Sequence, residues 1–126
     1  MSFTYESVPL HQDARGLVLE PVDLATLRLQ ANSHLVLTAP GAIRGNHYHP
    51  RGAEVTVLLG PALVRVRLDG AIKEVNVPKG EAYRFYFPPG LPHAMQNTGD
   101  KSMVLVAFNT IEHDPVNPDV VRDVLI

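Results

Sequence analysis

Cysteine is absent from the 126 residues, which excludes disulfides and thiolate metal sites. Excess charge of either sign is missing too. Eleven Lys and Arg stand against 13 Asp and Glu, the formal net charge is −2, and the basic residues are scattered along the chain. No basic stripe forms to track a phosphate backbone, so no nucleic-acid partner is expected. Long apolar runs are also lacking. The longest, VTVLLGPALV, is too short to span a bilayer and is broken by Gly60 and Pro61. The opening MSFTYESVPL has neither the basic start nor the apolar centre of a secretory leader. The expectation is a cytoplasmic protein with no membrane partner. The length suits a single domain over residues 1–126 with a real core.

Punctuation, by contrast, is plentiful. Nine glycines and 11 prolines divide the chain into short runs rich in Val, Leu, Ile and aromatics. HLVLT (34–38), EVTVLL (54–59), ALVRVRL (62–68), IKEVNV (72–77), AYRFYF (82–87) and SMVLVAF (102–108) read as strands. Strands at this spacing, separated by turn signals, predict an antiparallel all-β sandwich or barrel. In ALVRVRL the alternation puts Val64, Val66 and Leu68 on one face and Arg65 and Arg67 on the other, the mark of a strand buried on one side. Asp69-Gly70 is a hairpin signal because its turn needs positive φ. PVDLATLRLQ (21–30) reads as one turn of helix or a strand, and the two-proline ending as a final strand or short helix.

The segment GAIRGNHYHPRGAE (41–54) carries the chemistry. In a strand, residues i and i+2 share a side, so His47 and His49 present two imidazoles together and Tyr48 points away. Pro50-Arg51-Gly52 is turn chemistry, able to bring Glu54 back on the adjacent strand. Two imidazoles and a carboxylate converging on a point suit a divalent metal. His93 is the expected fourth ligand, aimed by the rigid turn that Pro88, Pro89, Gly90 and Pro92 make before it. Three nitrogens and one oxygen suit Zn, Mn, Fe, Ni or Cu.

These residues resemble the two motifs of the cupin superfamily. Gly41, five residues, His47-Tyr48-His49, four residues and Glu54 resemble the first, with Gly60 one position early. Pro88, Gly90, His93 and Asn97 keep the spacing of the second, with Gly80 two positions further upstream than usual. The resemblance implies a cupin double-stranded β-helix, a jelly-roll barrel with little helix, its core over about 32–110 and a metal at its mouth. DARG (13–16), PGAIRGNHYHPRGAE (40–54), FPPGLPHAMQNTGD (87–100) and HDPVNPD (113–119) look like the C-terminal cupin domain of bifunctional capsular polysaccharide-synthesis enzymes. RGNHYH (44–49) is similar, more distantly, to a segment of the dTDP-keto-sugar isomerases and epimerases. The resemblance implies one zinc ion, a nucleotide-linked keto-sugar substrate, epimerase or isomerase chemistry in surface polysaccharide biosynthesis, and a separate reductase as partner.

Such chemistry removes a proton next to a carbonyl, so it needs a base and a way to stabilise the enolate oxygen. His34 is a candidate base if its strand points it inward, and either Tyr83 or Tyr86 a candidate proton donor. Arg44 is a candidate phosphate partner, provided Gly45 bends the chain, since plain strand parity sets Arg44 against His47. Asn97 is a candidate substrate contact or the closure of a turn. His11 and His113 read as surface or interface residues, and Asp13 with Arg15 as a ligand contact or an ion pair near the entrance. Two alternatives stay open: an Fe or Mn dioxygenase, and a non-catalytic metal-bearing module that binds sugar or another small polar ligand. A homodimer is expected, with the apolar ending VVRDVLI contributing to it.

Overall fold

The computed structural model describes residues 2–126. Twelve strands and one helical turn follow in order: β1 (Thr4–Val8), β2 (His11–Asp13), β3 (Gly16–Val18), α1 (Leu24–Leu27), β4 (Asn32–Thr38), β5 (Ile43–Tyr48), β6 (Glu54–Leu59), β7 (Ala62–Leu68), β8 (Ala71–Val77), β9 (Ala82–Phe87), β10 (His93–Asn97), β11 (Met103–Asn109) and β12 (Val121–Arg122). One sheet has the order β1-β9-β6-β11-β4, the second β12-β5-β10-β7-β8, and β2-β3 forms a small hairpin. Every pairing is antiparallel. The fold is the all-β jelly-roll arrangement expected, and among the described residues no helix is long and apolar enough to cross a membrane.

The alternation read in β7 sets the packing. Val64 and Val66 are buried and face Leu58, Phe85, Phe87 and Leu105 of the opposite sheet across one apolar core. Arg65 and Arg67, on the outer face, pair with Glu74 and Asp123. Asp69 and Gly70 take positive φ, +52° and +77°, and turn β7 into β8 as the sequence required. The 21–30 stretch is a single helical turn, its first N–H groups capped by the Asp23 side chain, which accepts from Thr26 N at 2.8 Å. The apolar ending is used within its own chain. Leu125 is buried, and Leu125 N and Ile126 N donate to Asn46 Oδ1, so the tail crosses the outer face of the second sheet.

A bulge in β5 decides where the functional side chains point. His93 pairs with His47 but Ala94 pairs with Gly45, leaving Asn46 as the extra residue. Gly45 and Asn46 both have positive φ, +87° and +56°. The extra residue reverses strand parity, so Arg44 and His47 face the same side.

Candidate metal centre

Four side chains converge at one end of the barrel. His47 comes from the end of β5, His49 from the residue after it, Glu54 from the first position of β6 and His93 from the first position of β10. One ligand atom from each lies within 4.8 Å of all the others. Glu54 and His93 are buried at 5% and 0% exposure, so the centre is anchored in the barrel wall rather than on a loop. His93 is stacked on Phe87, ring centroids 4.1 Å apart and planes 5° from parallel, which fixes the imidazole plane.

The hydrogen bonds define which nitrogens face the centre. His49 Nδ1 donates to the main-chain oxygen of Asp119 at 2.8 Å, and His93 Nδ1 donates to that of Leu91 at 2.9 Å. Carbonyl oxygens only accept, so both protons sit on Nδ1. Each Nε2 then faces Glu54 Oε2, at 2.7 Å from His49 and 3.2 Å from His93. In neutral rings these are lone pairs aimed at a carboxylate, an arrangement that needs a proton or a cation between them. A divalent cation meets the demand of all the donors at once, so the residues fit a metal.

The electrostatics agree. Burial pushes the Glu54 carboxyl up, but hydrogen bonds and charge from His49 and His93 outweigh it and hold the group well below its usual range. Thr56 Oγ1 donates to Glu54 Oε1 at 2.8 Å and stabilises the same ionised form. Burial also pushes His49 down, yet the Glu54 carboxylate more than compensates, leaving it above its ordinary value. His47 has no such partner. Burial, then the charges of His93 and His49, lower it to about 4, so its ring is neutral with a lone pair available at physiological pH.

The centre sits beside a cavity of about 480 Å³. His34 lines it, as does Arg44, brought inward by the bulge. The Arg44 guanidinium donates to Thr38 Oγ1 and Leu37 O, so it ties β5 to β4 across the gap between the sheets. Val36, Met95 and Leu105 give the cavity an apolar wall. His113 stands at the rim with Glu112 and Asp114, nearer the site than a plain surface residue.

Other candidates lie elsewhere. Tyr83 shares the inward parity of Phe85 and stacks on Tyr5, 6.2 Å between centroids, away from the histidines. Tyr86 faces outward on β9 and lines a separate cavity with Arg84 and Leu29; burial raises its pKa. Asn97 is at the other end of β10, where its side chain donates to Thr38 O and Lys101 O and accepts from Gly99 N. It closes turns and does not reach the cavity beside the histidines. Asp13 and Arg15 form an exposed ion pair, 2.6 Å, in the β2–β3 turn, and neither lines that cavity; His11 is exposed in the same hairpin. Sequence reasoning missed Thr56, Phe87 and Asp119 as supports. Thr56, two residues from Glu54 on the same strand face, carried a readable signal; the distant Asp119 carried none.

Comparison with known proteins follows the same lines. The family described as polysaccharide biosynthesis C-terminal domain matches residues 11–121. The chain belongs to this family. A UDP-2-acetamido-2,6-beta-L-arabino-hexul-4-ose reductase from Pseudomonas aeruginosa is 34% identical over 122 residues, covering 94% of this chain but only 32% of that protein. Among solved structures, the capsular polysaccharide assembling protein CapF of Staphylococcus aureus superposes with a TM-score of 0.69 at 24% identity, over 94% of this chain and 33% of CapF. ChmJ, a 3'-monoepimerase from Streptomyces bikiniensis solved with dTDP-quinovose, gives 0.72 at 23% identity, over 90% of this chain and 66% of ChmJ. The two likenesses to solved structures are of fold, a jelly-roll arrangement consistent with the cupin superfamily. The chain spans about a third of the length of the curated relative.

Proposed function

We propose that this chain is a metal-dependent epimerase or isomerase domain acting on a nucleotide-linked keto-sugar in polysaccharide biosynthesis. The observation that carries the reading is the convergence of two imidazole Nε2 atoms on an ionised, buried carboxylate beside a cavity lined by two further histidines, His34 and His113. His47, His49, Glu54 and His93 would hold one divalent ion, zinc by the family resemblance. When bound, the ion supplies positive charge that polarises a carbonyl.

The chain's own residues account for removal of the proton. His34, on the cavity side of β4, takes the proton from the carbon next to the carbonyl, leaving the electron pair as an enolate. Solvent water in the open cavity gives a proton to the opposite face of that carbon, which inverts it, and His34 then releases the proton it took to solvent. Arg44 is held by Leu37 and Thr38 at the cavity wall, where a guanidinium meets the phosphates of a sugar nucleotide. The apolar wall of Val36, Met95 and Leu105 packs against the sugar ring and limits water near the enolate. A separate reductase acting on the product is part of the proposal, as is a homodimer. Its surface in this reading joins the β4 edge, where Leu35 and Leu37 are 68% and 62% exposed, with the apolar tail, where Val121 and Val124 remain exposed.

The test is metal content followed by exchange. Native protein, purified without an affinity tag, is expected to carry about one equivalent of zinc, lost in His49→Ala. The native protein is expected to move solvent deuterium into a keto-sugar nucleotide, and His34→Ala to abolish this while keeping the metal. Iron or manganese with oxygen uptake would assign the dioxygenase alternative instead. Tight sugar-nucleotide binding without exchange would leave a binding module. Size-exclusion chromatography giving a monomer at micromolar concentration would refute the dimer.

A further inference from the structure

We propose that Asp119 is the positioning residue of the metal centre, acting on two ligands at once from a segment far along the chain; this rests on the metal-centre reading above. Its main-chain oxygen accepts the Nδ1 proton of His49 at 2.8 Å, which aims Nε2 at the centre. Its carboxylate accepts from Gly52 N at 2.7 Å and Arg51 N at 3.1 Å. Those N–H groups belong to the turn between His49 and Glu54, so the carboxylate sets the separation of those two ligands. The Arg51 guanidinium adds a contact at 3.4 Å, and the Asp119 side chain is only 11% exposed.

Asp119 is itself held from both sides. Before it, Asp114 Oδ1 accepts from Val116 N and Asn117 N and bends the chain. After it, Val121 and Arg122 pair with Tyr48 and His47 as β12. The Asn46 bulge then takes Asp123 N on its carbonyl and Leu125 N on its side chain. The fit against the turn is tight: a Cβ on Gly52 would meet Ile111 Cγ1 at 2.7 Å and Asp119 Oδ2 at 3.1 Å. His93, in contrast, is oriented locally by the carbonyl of Leu91 and needs no help from the strap. His93 and Glu54 are thus anchored by the barrel, while residue 119 holds His49 and the turn that joins it to Glu54. The same strap forms part of the cavity wall through Glu112, Asp114 and Pro118.

The experiment measures zinc affinity by chelator competition, together with the visible spectrum of the Co²⁺-loaded protein and the melting temperature of the metal-free form. Asp119→Ala is expected to weaken zinc binding by about 10- to 100-fold, the scale for losing an outer support of a ligand, and to change the Co²⁺ spectrum. Asp119→Asn keeps one oxygen for Gly52 N and is expected to recover part of the loss. Asp123→Ala removes the strap's ion pair with Arg67, 3.3 Å, without touching His49 or the turn. It is expected to leave zinc affinity and spectrum unchanged. Asp119→Ala binding zinc as tightly as wild type would overturn the inference while the metal centre stands. So would Asp123→Ala weakening it equally, since strap docking alone would then explain the effect. Wild-type protein that takes up no metal would overturn the centre itself, and this inference with it.

Discussion

Replacing Gly45 and Gly41 with alanine separates two costs that the structure assigns to different places. Both glycines have positive φ, +87° and +75°. An alanine at either pays the left-handed strain of about 1–2 kcal/mol. Stiffening the unfolded chain returns roughly 0.4–1 kcal/mol. At Gly41 nothing lies within 4 Å of the added Cβ, so that balance is the whole effect, a loss of about 0–1.6 kcal/mol. At Gly45 the Cβ falls 2.8 Å from His93 O and 3.2 Å from Ala94 Cα. Both are backbone atoms of β10, so the strands themselves must move apart. Overpacking of this kind costs about 1–3 kcal/mol more. For a chain of this size 1 kcal/mol corresponds to roughly 4 °C in Tm. Gly41→Ala should therefore lower Tm by about 6 °C or less, and Gly45→Ala by about 4–18 °C.

The same collision has a functional side. His93 pairs in register with His47, so pushing β10 from β5 pulls apart two ligands. Metal affinity should fall about tenfold or more in Gly45→Ala and hold in Gly41→Ala. Thermal unfolding of the metal-free proteins and chelator competition read the two effects separately. If the two variants match in both measurements, the steric role assigned to Gly45 is refuted.

Other outcomes follow from single contacts. Thr56→Val keeps shape but removes the hydroxyl that donates to Glu54, leaving a buried carboxylate oxygen without a partner; a loss of about 1–3 kcal/mol is expected in denaturant unfolding, and no loss would refute the contact. Asn97→Ala removes three hydrogen bonds at the end of β10 away from the histidines. It should cost about 2–4 kcal/mol yet leave metal affinity unchanged, and a fall in affinity would place Asn97 in the site after all. Metal binding must displace the proton that the Glu54 carboxylate holds on His49, whose pKa is raised, whereas His47 is neutral down to about 4. Affinity should fall by about one log unit per pH unit between roughly pH 6.5 and 5; a flat profile would exclude proton competition at His49.

The strands, the hairpin at Asp69-Gly70 and the ligand quartet were legible because each rests on short-range pattern. Strand alternation, positive-φ turn pairs and an i, i+2 histidine pair need only a few neighbouring residues. The reversal of parity at Asn46 was legible only as a requirement: Arg44 needed a bend, and Gly45 was the residue able to supply it. The extra residue that completes the bulge is a property of pairing with β10, which local sequence does not carry. Tyr83 and Tyr86 illustrate the same limit. Alternation separated them onto two faces, but which face meets the cavity depends on sheet order, and neither does. The role of Asp119 was beyond reach for the same reason: it acts on His49 and the 51–52 turn across more than half of the chain.

The placement of the quartet explains why a buried carboxylate is tolerated here. Glu54 belongs to the sheet of β6, while His47 and His93 belong to the sheet of β5 and β10. The turn holding Arg51 and Gly52 is one of the crossings between the two sheets, the one from β5 to β6. At that crossing the apolar cluster of Phe85, Leu58 and Val64 gives way to polar groups that are still buried, Glu54, Thr56 and His93. Unpaired, an ionised Glu54 at 5% exposure would cost several kcal/mol. The hydrogen bond from Thr56, and those from His49 and His93 when their rings are protonated, reduce that cost, and a cation between the neutral rings and the carboxylate would remove most of the remainder. Metal affinity and closure of the barrel mouth are then one free energy, because the ligands meet only when both sheets are in place. The strap carrying Asp119 completes that coupling from outside, joining the turn to β5 through β12.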